Sequence, residues 1–259
     1  MSARTIPSRR LRLVDRVLQF LASRSSPVES EAAALDHLLP DGAVCFDIGA
    51  EYGLYTLTFA RRVGARGRVL SFEPLPGPHR FLSRIVRWLR APNVTVHRVA
   101  LGDRVGNATL SLPRRRWLPV HGRAFVTDGA DGPGPNEEFE REERVASTVS
   151  TVDGAVADAG LTRVDFIKID VEGYEPAVLR GALRTLDRFR PTVLIEIEDR
   201  HLEKFRASSA SVIDLLAPHG YQMTALLDGA WRPVETVSTR TRNYLFTADR
   251  SHEPGGPSR

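Results

Sequence analysis

Acidic residues stand where apolar runs end. Asp47 lies at the end of the run from Ala43 to Ile48, Glu73 closes the run after Arg68, Asp103 follows Asn93–Ala100, and Asp170 ends Val164–Asp170. The first turn, Asp47-Ile48-Gly49-Ala50-Glu51-Tyr52-Gly53, spaces its glycines G-x-x-x-G and carries an acid two residues before the first. The dinucleotide fingerprint G-x-G-x-x-G leaves a helix N-terminus open to pyrophosphate. Here Asp47 would repel a phosphate and suits a cationic ligand, such as a sulfonium with its amino group. Gly49 and Gly53 allow backbone to approach the ligand and the helix to approach the strand. Glu73, followed by Pro74, is placed to accept both hydroxyls of a ribose. Asp103 or the backbone of Leu101, in the turn Leu101-Gly102-Asp103, is placed to read an adenine edge.

Proton-accepting groups follow in the second half. Asp170 and Glu172 come after the fourth apolar run and His201 shortly after the fifth. Asp170 is placed best, and His201 has the more suitable ordinary pKa for a base near neutrality. Lys168, between Ile167 and Ile169, points to the opposite face and is expected to pair with a neighbouring acid.

The elements that must position these groups read β-α-β-α-β from Ala43 to Ala100. Short apolar runs bounded by glycine suit buried parallel strands. Pro78–Arg90 places Phe81, Leu82, Ile85, Val86 and Leu89 on a helical stripe. From Arg104 to Ser147 periodicity fails, apart from a short strand at Thr109–Leu112. Gly129–Arg144 is Gly/Pro-rich and then charged, so residues 104–147 read as a lid-like insertion with a mobile tip. Beyond it come a helix at Thr151–Gly160, a strand at Val164–Asp170, a helix at Glu175–Leu186 and a strand at Thr192–Ile197. A helix at Ser209–Ala217 then leads to strands at Tyr221–Leu227 and Arg242–Thr247, with an Asp228-Gly229 hairpin signal between them.

At 259 residues, 42% hydrophobic and 26% charged, the chain is expected to form one α/β domain at 41–249. A helical extension at 1–40 precedes it and a disordered tail at 250–259 follows. No apolar run approaches the roughly 20 residues of a membrane span. The single cysteine, Cys45, excludes an internal disulfide, and a cytoplasmic setting is expected. The net charge is +4, yet Lys168 and Lys204 are the only lysines among 36 basic residues. Arginine richness of this kind follows from codon usage, and Arg114–Arg116 beside Trp117 come with no nucleic-acid module, which argues against a nucleic-acid partner. Residues 1–26 set six arginines against Asp15 on an amphipathic pattern. That suits a helix on the domain edge, with peripheral membrane contact through its basic face as the alternative.

The segments CFDIGAEYGLYT, RVLSFEPLPGPHRFL, NVTVHRVALGD, VDFIKIDVEGYEPAVLRGA and RPTVLIEIE, in this order, resemble the FkbM family of S-adenosylmethionine-dependent methyltransferases. They cover Val44–Glu198, and IKIDVEG with the following L-x-G-A is the distinctive part. The resemblance implies a doubly wound, mostly parallel seven-stranded sheet with an antiparallel last strand. It also implies S-adenosylmethionine as cofactor and methyl transfer to a hydroxyl of a sugar, glycolipid or polyketide-type natural product. Family members more often carry Asn where this chain has Glu51. Some related small-molecule methyltransferases hold Mg²⁺ with carboxylates after the fourth and fifth strands, where Asp170, Glu198 and Asp199 stand here, so Mg²⁺ is a second route to an acidified hydroxyl. The rival readings are N-methylation of a small amine or RNA, and a cofactor-binding scaffold without turnover.

Overall fold

The computed structural model describes residue 35 and residues 38–248. The basic segment 1–26, most of the helix expected at Ser30–Leu39 and the tail 250–259 lie outside the described residues.

The chain enters through β1 (Val44–Ile48), buried at every position. It continues through α1 (Leu54–Val63), β2 (Arg68–Phe72), α2 (Pro76–Leu89) and β3 (Val94–His97). β1 pairs parallel with β2, and β2 with β3. Side-chain alternation divides the core. Cys45, Val69, Phe166 and Leu194 face the cluster under α1 and α2, whereas Phe46, Leu70, Ile167 and Ile195 face the opposite core.

The stretch read as aperiodic is a second β-sheet. It contains β4 (Ala100–Leu101), β5 (Gly106–Arg115), β6 (Leu118–Pro119), β7 (Phe125–Val126) and β8 (Arg141–Ser150). The order is β4-β8-β5-β6, with β7 also on β5. β5 and β8 pair antiparallel from Gly106↔Val149 to Arg114↔Arg141. Ala108, Leu110 and Leu112 form the buried face of β5 and join the main core, while the charged start of β8 faces solvent. The charge run that looked incompatible with burial is therefore half of a one-sided sheet.

α3 (Val152–Asp158) begins at Thr151, whose Oγ1 accepts from Gly154 N at 2.9 Å. After β9 (Phe166–Ile169), the expected single helix is two, α4 (Glu175–Arg180) and α5 (Leu183–Phe189). The break falls at Gly181, where a Cβ would lie 2.0 Å from the Gly102 carbonyl oxygen. β10 (Thr192–Glu196), α6 (Asp199–Leu202), α7 (Ser209–Leu216), β11 (Tyr221–Leu227), β12 (Ala230–Pro233) and β13 (Asn243–Ala248) complete the fold.

The main sheet runs β12-β11-β13-β10-β9-β1-β2-β3. It is doubly wound, and β13 is antiparallel to both neighbours. It has eight strands rather than seven, because the Asp228-Gly229 turn, with φ of 51° and 77°, folds β12 back onto the edge of β11. The order in which strands are added reverses between β1 and β9, where α/β sheets open a crevice beyond their carboxyl ends. No helix among the described residues is long and apolar enough to cross a membrane.

Candidate active site

A cavity of about 280 Å³ occupies that crevice. Its floor comes from the ends of the main strands, through Gly49, Glu73, Asp170 and Glu196, and its roof from the second sheet, through Leu110, Arg123 and Phe125. Gly49 has φ 81°, and a Cβ there would lie 1.8 Å from the Asp170 carbonyl oxygen. Only glycine lets the ends of β1 and β9 meet. The N–H groups of Gly49 and Ala50 both donate to Phe72 O, at 3.0 and 3.1 Å, which ties the turn to the end of β2.

Glu73 is 5% exposed and lines the cavity with Pro74. Its Oε2 accepts from Glu51 N at 2.9 Å and its Oε1 from Leu75 N at 2.8 Å. Burial pushes its pKa up to about 7, against the downward pull of those two N–H groups. Glu51 also lines the cavity, in the left-handed region at φ 44°, a conformation that costs a non-glycine residue energy and clusters at functional sites. Asp47, in contrast, does not face the cavity. Strand alternation turns it under α1, where Thr56 Oγ1 donates to its Oδ2 at 2.5 Å. Burial raises its pKa to about 6 even so. Its negative charge lies behind the floor and can act on a cationic ligand only at a distance. Ala50 and Gly53 likewise shape the turn outside the lining, Gly53 against Leu82. Tyr52 is 44% exposed and bonds His121 Nδ1 at 2.9 Å. On the third strand end, Leu101 lines the cavity, Gly102 packs under Tyr174, and Asp103 turns outward to Arg104 and Arg180, at 3.2 and 3.6 Å. Of the two alternatives for an adenine edge, the structure brings Leu101 to the cavity.

The catalytic candidates form a charge cluster. Lys168 is 1% exposed, with Nζ 3.3 Å from Asp170 Oδ2 and 5.1 Å from the Tyr55 ring centre. Burial works against its charge, but Asp170 and Glu196 outweigh burial and hold its pKa above the ordinary value. Burial opposes ionisation of Asp170 too, and Lys168 together with a hydrogen bond from Glu196 reverses this, so Asp170 titrates below the usual range. The Asp170 charge, then burial, drive Glu196 far up. The pair shares one proton, carried by Glu196. Register explains the meeting: Ile195 lies opposite Ile169, so the next residue of β10 falls beside Asp170. Glu172, at φ 55°, lines the cavity, and Gly173 follows it where a Cβ would lie 2.1 Å from the His201 carbonyl oxygen. His201 is 4% exposed and sits behind Glu172, outside the lining. Arg123 Nη1 donates to its Nε2 at 3.1 Å, which places the ring proton on Nδ1. That nitrogen is 2.9 Å from Glu172 Oε2, though out of line for a hydrogen bond. His201 thus braces Glu172 rather than facing an acceptor.

The Methyltransferase FkbM domain model matches residues 47–223, from the Asp47 turn into β11. The chain belongs to the FkbM methyltransferase family. It is 29% identical over 224 residues to AMB antimetabolite synthetase AmbE of Pseudomonas aeruginosa, a match covering 75% of this chain and 10% of AmbE. It is 27% identical over 150 residues to Methyltransferase 1 of Beauveria bassiana, covering 55% of this chain and 59% of that protein. The chain therefore spans a tenth of one curated relative and under two thirds of the other. Among solved structures, Methyltransferase FkbM from Methylobacillus flagellatus KT aligns at 19% identity and a TM-score of 0.49, covering 80% of this chain and 44% of that one.

In this FkbM methyltransferase the carboxylates expected to hold Mg²⁺ do not assemble. Glu198 is held by Arg200 at 2.7 Å and Arg242 at 3.5 Å, and Asp199 accepts from Ser209 N at 2.6 Å. Oxygens of Asp170, Glu172 and Glu196 do lie within 4.8 Å of one another. Lys168 already balances Asp170 there. The expected set of Asp170, Glu198 and Asp199 therefore does not fit a resident Mg²⁺. Sequence reasoning missed Glu196, whose signal was an acid at an inward position of an apolar strand.

Proposed function

We propose that this FkbM methyltransferase transfers the methyl group of S-adenosylmethionine to a hydroxyl oxygen of a sugar, glycolipid or polyketide-type natural product. The observation that carries this reading is that Glu73, suited to a ribose, and Asp170, kept ionised by Lys168, line the same cavity. The cavity also fits such a donor through the close backbone at Gly49 and the apolar side of Leu101. When bound, the donor supplies an electrophilic methyl group on a good leaving group. The protein's part is to align two reactants, which can supply about 7–11 kcal/mol of the barrier. Asp170 accepts the hydroxyl proton as the bond to carbon forms, while Lys168 and the proton on Glu196 hold its charge in place. The likeness to AmbE, an antimetabolite synthetase by name, supports a natural-product acceptor.

An amine acceptor is the rival that the acid-rich floor favours. Labelled methyl transfer to matched acceptors, one with a hydroxyl and one with an amine at the same position, tests the reading. Transfer to the hydroxyl, lost in Asp170→Asn while S-adenosylhomocysteine binding by calorimetry persists, is the expected result. Transfer to the amine alone overturns oxygen specificity, and no binding of S-adenosylhomocysteine by the folded chain overturns the donor.

A further inference from the structure

The hairpin between β5 and β6 holds two apolar side chains out into solvent. Trp117 is 79% exposed and Leu118 70%. The turn is braced rather than loose, because Arg114 donates to Trp117 O at 2.7 Å and to Glu143 Oε2 at 2.6 Å. Arg115 and Arg116 flank the tip, and neither has an ion pair among the described residues. Of the acids along β8, Glu142 is engaged by Ser111 and Arg144 and Glu143 by Arg114, while Glu140, next beyond the Arg114↔Arg141 pair, is exposed.

A second exposed patch lies close by. Four residues of chain, at most about 14 Å when extended, separate Trp117 from His121. His121 bonds Tyr52, whose ring meets Phe81 edge-on with centres 5.4 Å apart. Phe81 is 47% exposed and lies on α2. Arg80, Arg84 and Arg87 run alongside on the exposed face of the helix. No acid occurs between Glu73 and Asp103. His121 also lines the cavity, so both patches adjoin its mouth.

We propose that the hairpin tip Arg115–Leu118 and the arginine–aromatic face of α2 dock on an anionic lipid bilayer. Tryptophan and phenylalanine beside arginines suit the headgroup boundary, where the rings lie among the upper acyl carbons and the guanidinium groups stay with phosphate. Leu118 separates a bilayer from a nucleic acid, since an aliphatic side chain at a protruding tip gains from acyl chains and offers a base nothing to stack on. The inference concerns binding and stands independently of the acceptor assignment.

Co-sedimentation of the full chain with phosphatidylcholine vesicles, with and without phosphatidylglycerol, tests it. Binding is expected only where phosphatidylglycerol is present, with tryptophan emission shifted to the blue. Arg115→Ser with Arg116→Ser should weaken binding about fivefold for each arginine, about 25-fold together. Trp117→Ser with Leu118→Ser should weaken it and reduce the blue shift, with the thermal midpoint unchanged because the tip is exposed. Quenching of wild-type emission by lipids brominated on the upper acyl carbons needs no variant and should be strong. Equal binding to neutral vesicles, no binding, absence of quenching, or both double variants binding like wild type would overturn the proposal. So would mixed-sequence RNA that binds more tightly than the vesicles and displaces them.

Discussion

Replacing Lys168 by Met probes the charge cluster most directly. Methionine matches the length of the buried stem and removes only the ammonium 3.3 Å from Asp170 Oδ2. Breaking a fully buried pair costs about 3–5 kcal/mol, because the surviving charge is left without a counter-ion. Asp170 opens to the cavity, with 36% of its side chain accessible, and solvent screening brings the expected cost to about 2–3 kcal/mol. With a urea slope of about 2–3 kcal/mol/M, the midpoint should fall by about 1 M at neutral pH. The pH dependence follows from Asp170. Its folded pKa is depressed, so its contribution is present above the unfolded value and is lost as pH falls through the folded one. The difference between wild type and Lys168→Met should therefore shrink on acidification below about pH 4. In the methyl-transfer assay the acid limb of the pH–rate profile should move upward, since Asp170 without Lys168 ionises later. Lys168→Met with Asp170→Asn should be more stable than the two single losses predict. An unchanged urea midpoint together with an unmoved acid limb would refute the claim that Lys168 sets the charge of Asp170.

The remaining predictions concern the cavity and its supports. Glu175 is 3% exposed, and burial raises its pKa from 4.5 to about 7 against N–H groups from Gly173 and Val171. A raised folded pKa gives stability that is full below the unfolded value and lost as pH rises through the folded one, so wild type should lose about 3 kcal/mol between pH 4.5 and 7 from this group. Glu175→Gln keeps Oε1, which accepts both bonds, and urea titrations should show that slope removed; an identical slope would refute it. Gly49→Ala should cost at least about 1–2 kcal/mol for its left-handed backbone, plus the displacement of β9, and should abolish S-adenosylhomocysteine binding by calorimetry. Wild-type binding in that variant would show that the two strand ends do not build the donor site. Glu73 should bind a ribose best when ionised, so affinity for S-adenosylhomocysteine should rise as pH climbs through about 7 and should lose this dependence in Glu73→Gln. Asp170→Asn should lower kcat by about 10²–10⁴ with donor affinity retained, and a loss of affinity without loss of kcat would move the base elsewhere.

The parts legible in sequence were those whose signal is local. Runs of buried residues between glycines marked β1 and β2, and Gly49 announced a close approach because little else tolerates φ 81°. Glu73 was legible because a strand-end acid directed at the crevice is fixed by the strand itself. The second sheet was not legible, although Ala108, Leu110 and Leu112 alternate as a half-buried strand should. Pro113 lies within that strand, a residue that reads against one in sequence, and its partner β8 begins 26 residues after β5 ends, on a run of charges. Pairing across that distance depends on the main core beneath, which a window of sequence does not contain.

The same limit explains Asp47, His201 and Glu196. Motif spacing places Asp47 at a strand end but not on a face, and the odd-numbered positions of β1 turn toward α1. His201 suits a base by residue type, yet Arg123, from the segment between β6 and β7, claims Nε2. Glu196 shows the reverse case. A lone acid in TVLIE reads as an edge group until β9–β10 register sets it beside Asp170, and Lys168 on the neighbouring strand makes two buried carboxyls tolerable there. One proton and one ammonium then leave the three groups neutral together, with Asp170 the ionised carboxylate. Without Lys168, Asp170 would ionise later, and without Glu196 it would lose the hydrogen bond that helps keep it ionised. The charge state of Asp170 is thus a property of three residues on two strands, and substitutions at Lys168 and Glu196 should both move the acid limb of turnover upward, because the ammonium and the Glu196 hydrogen bond each lower the Asp170 pKa.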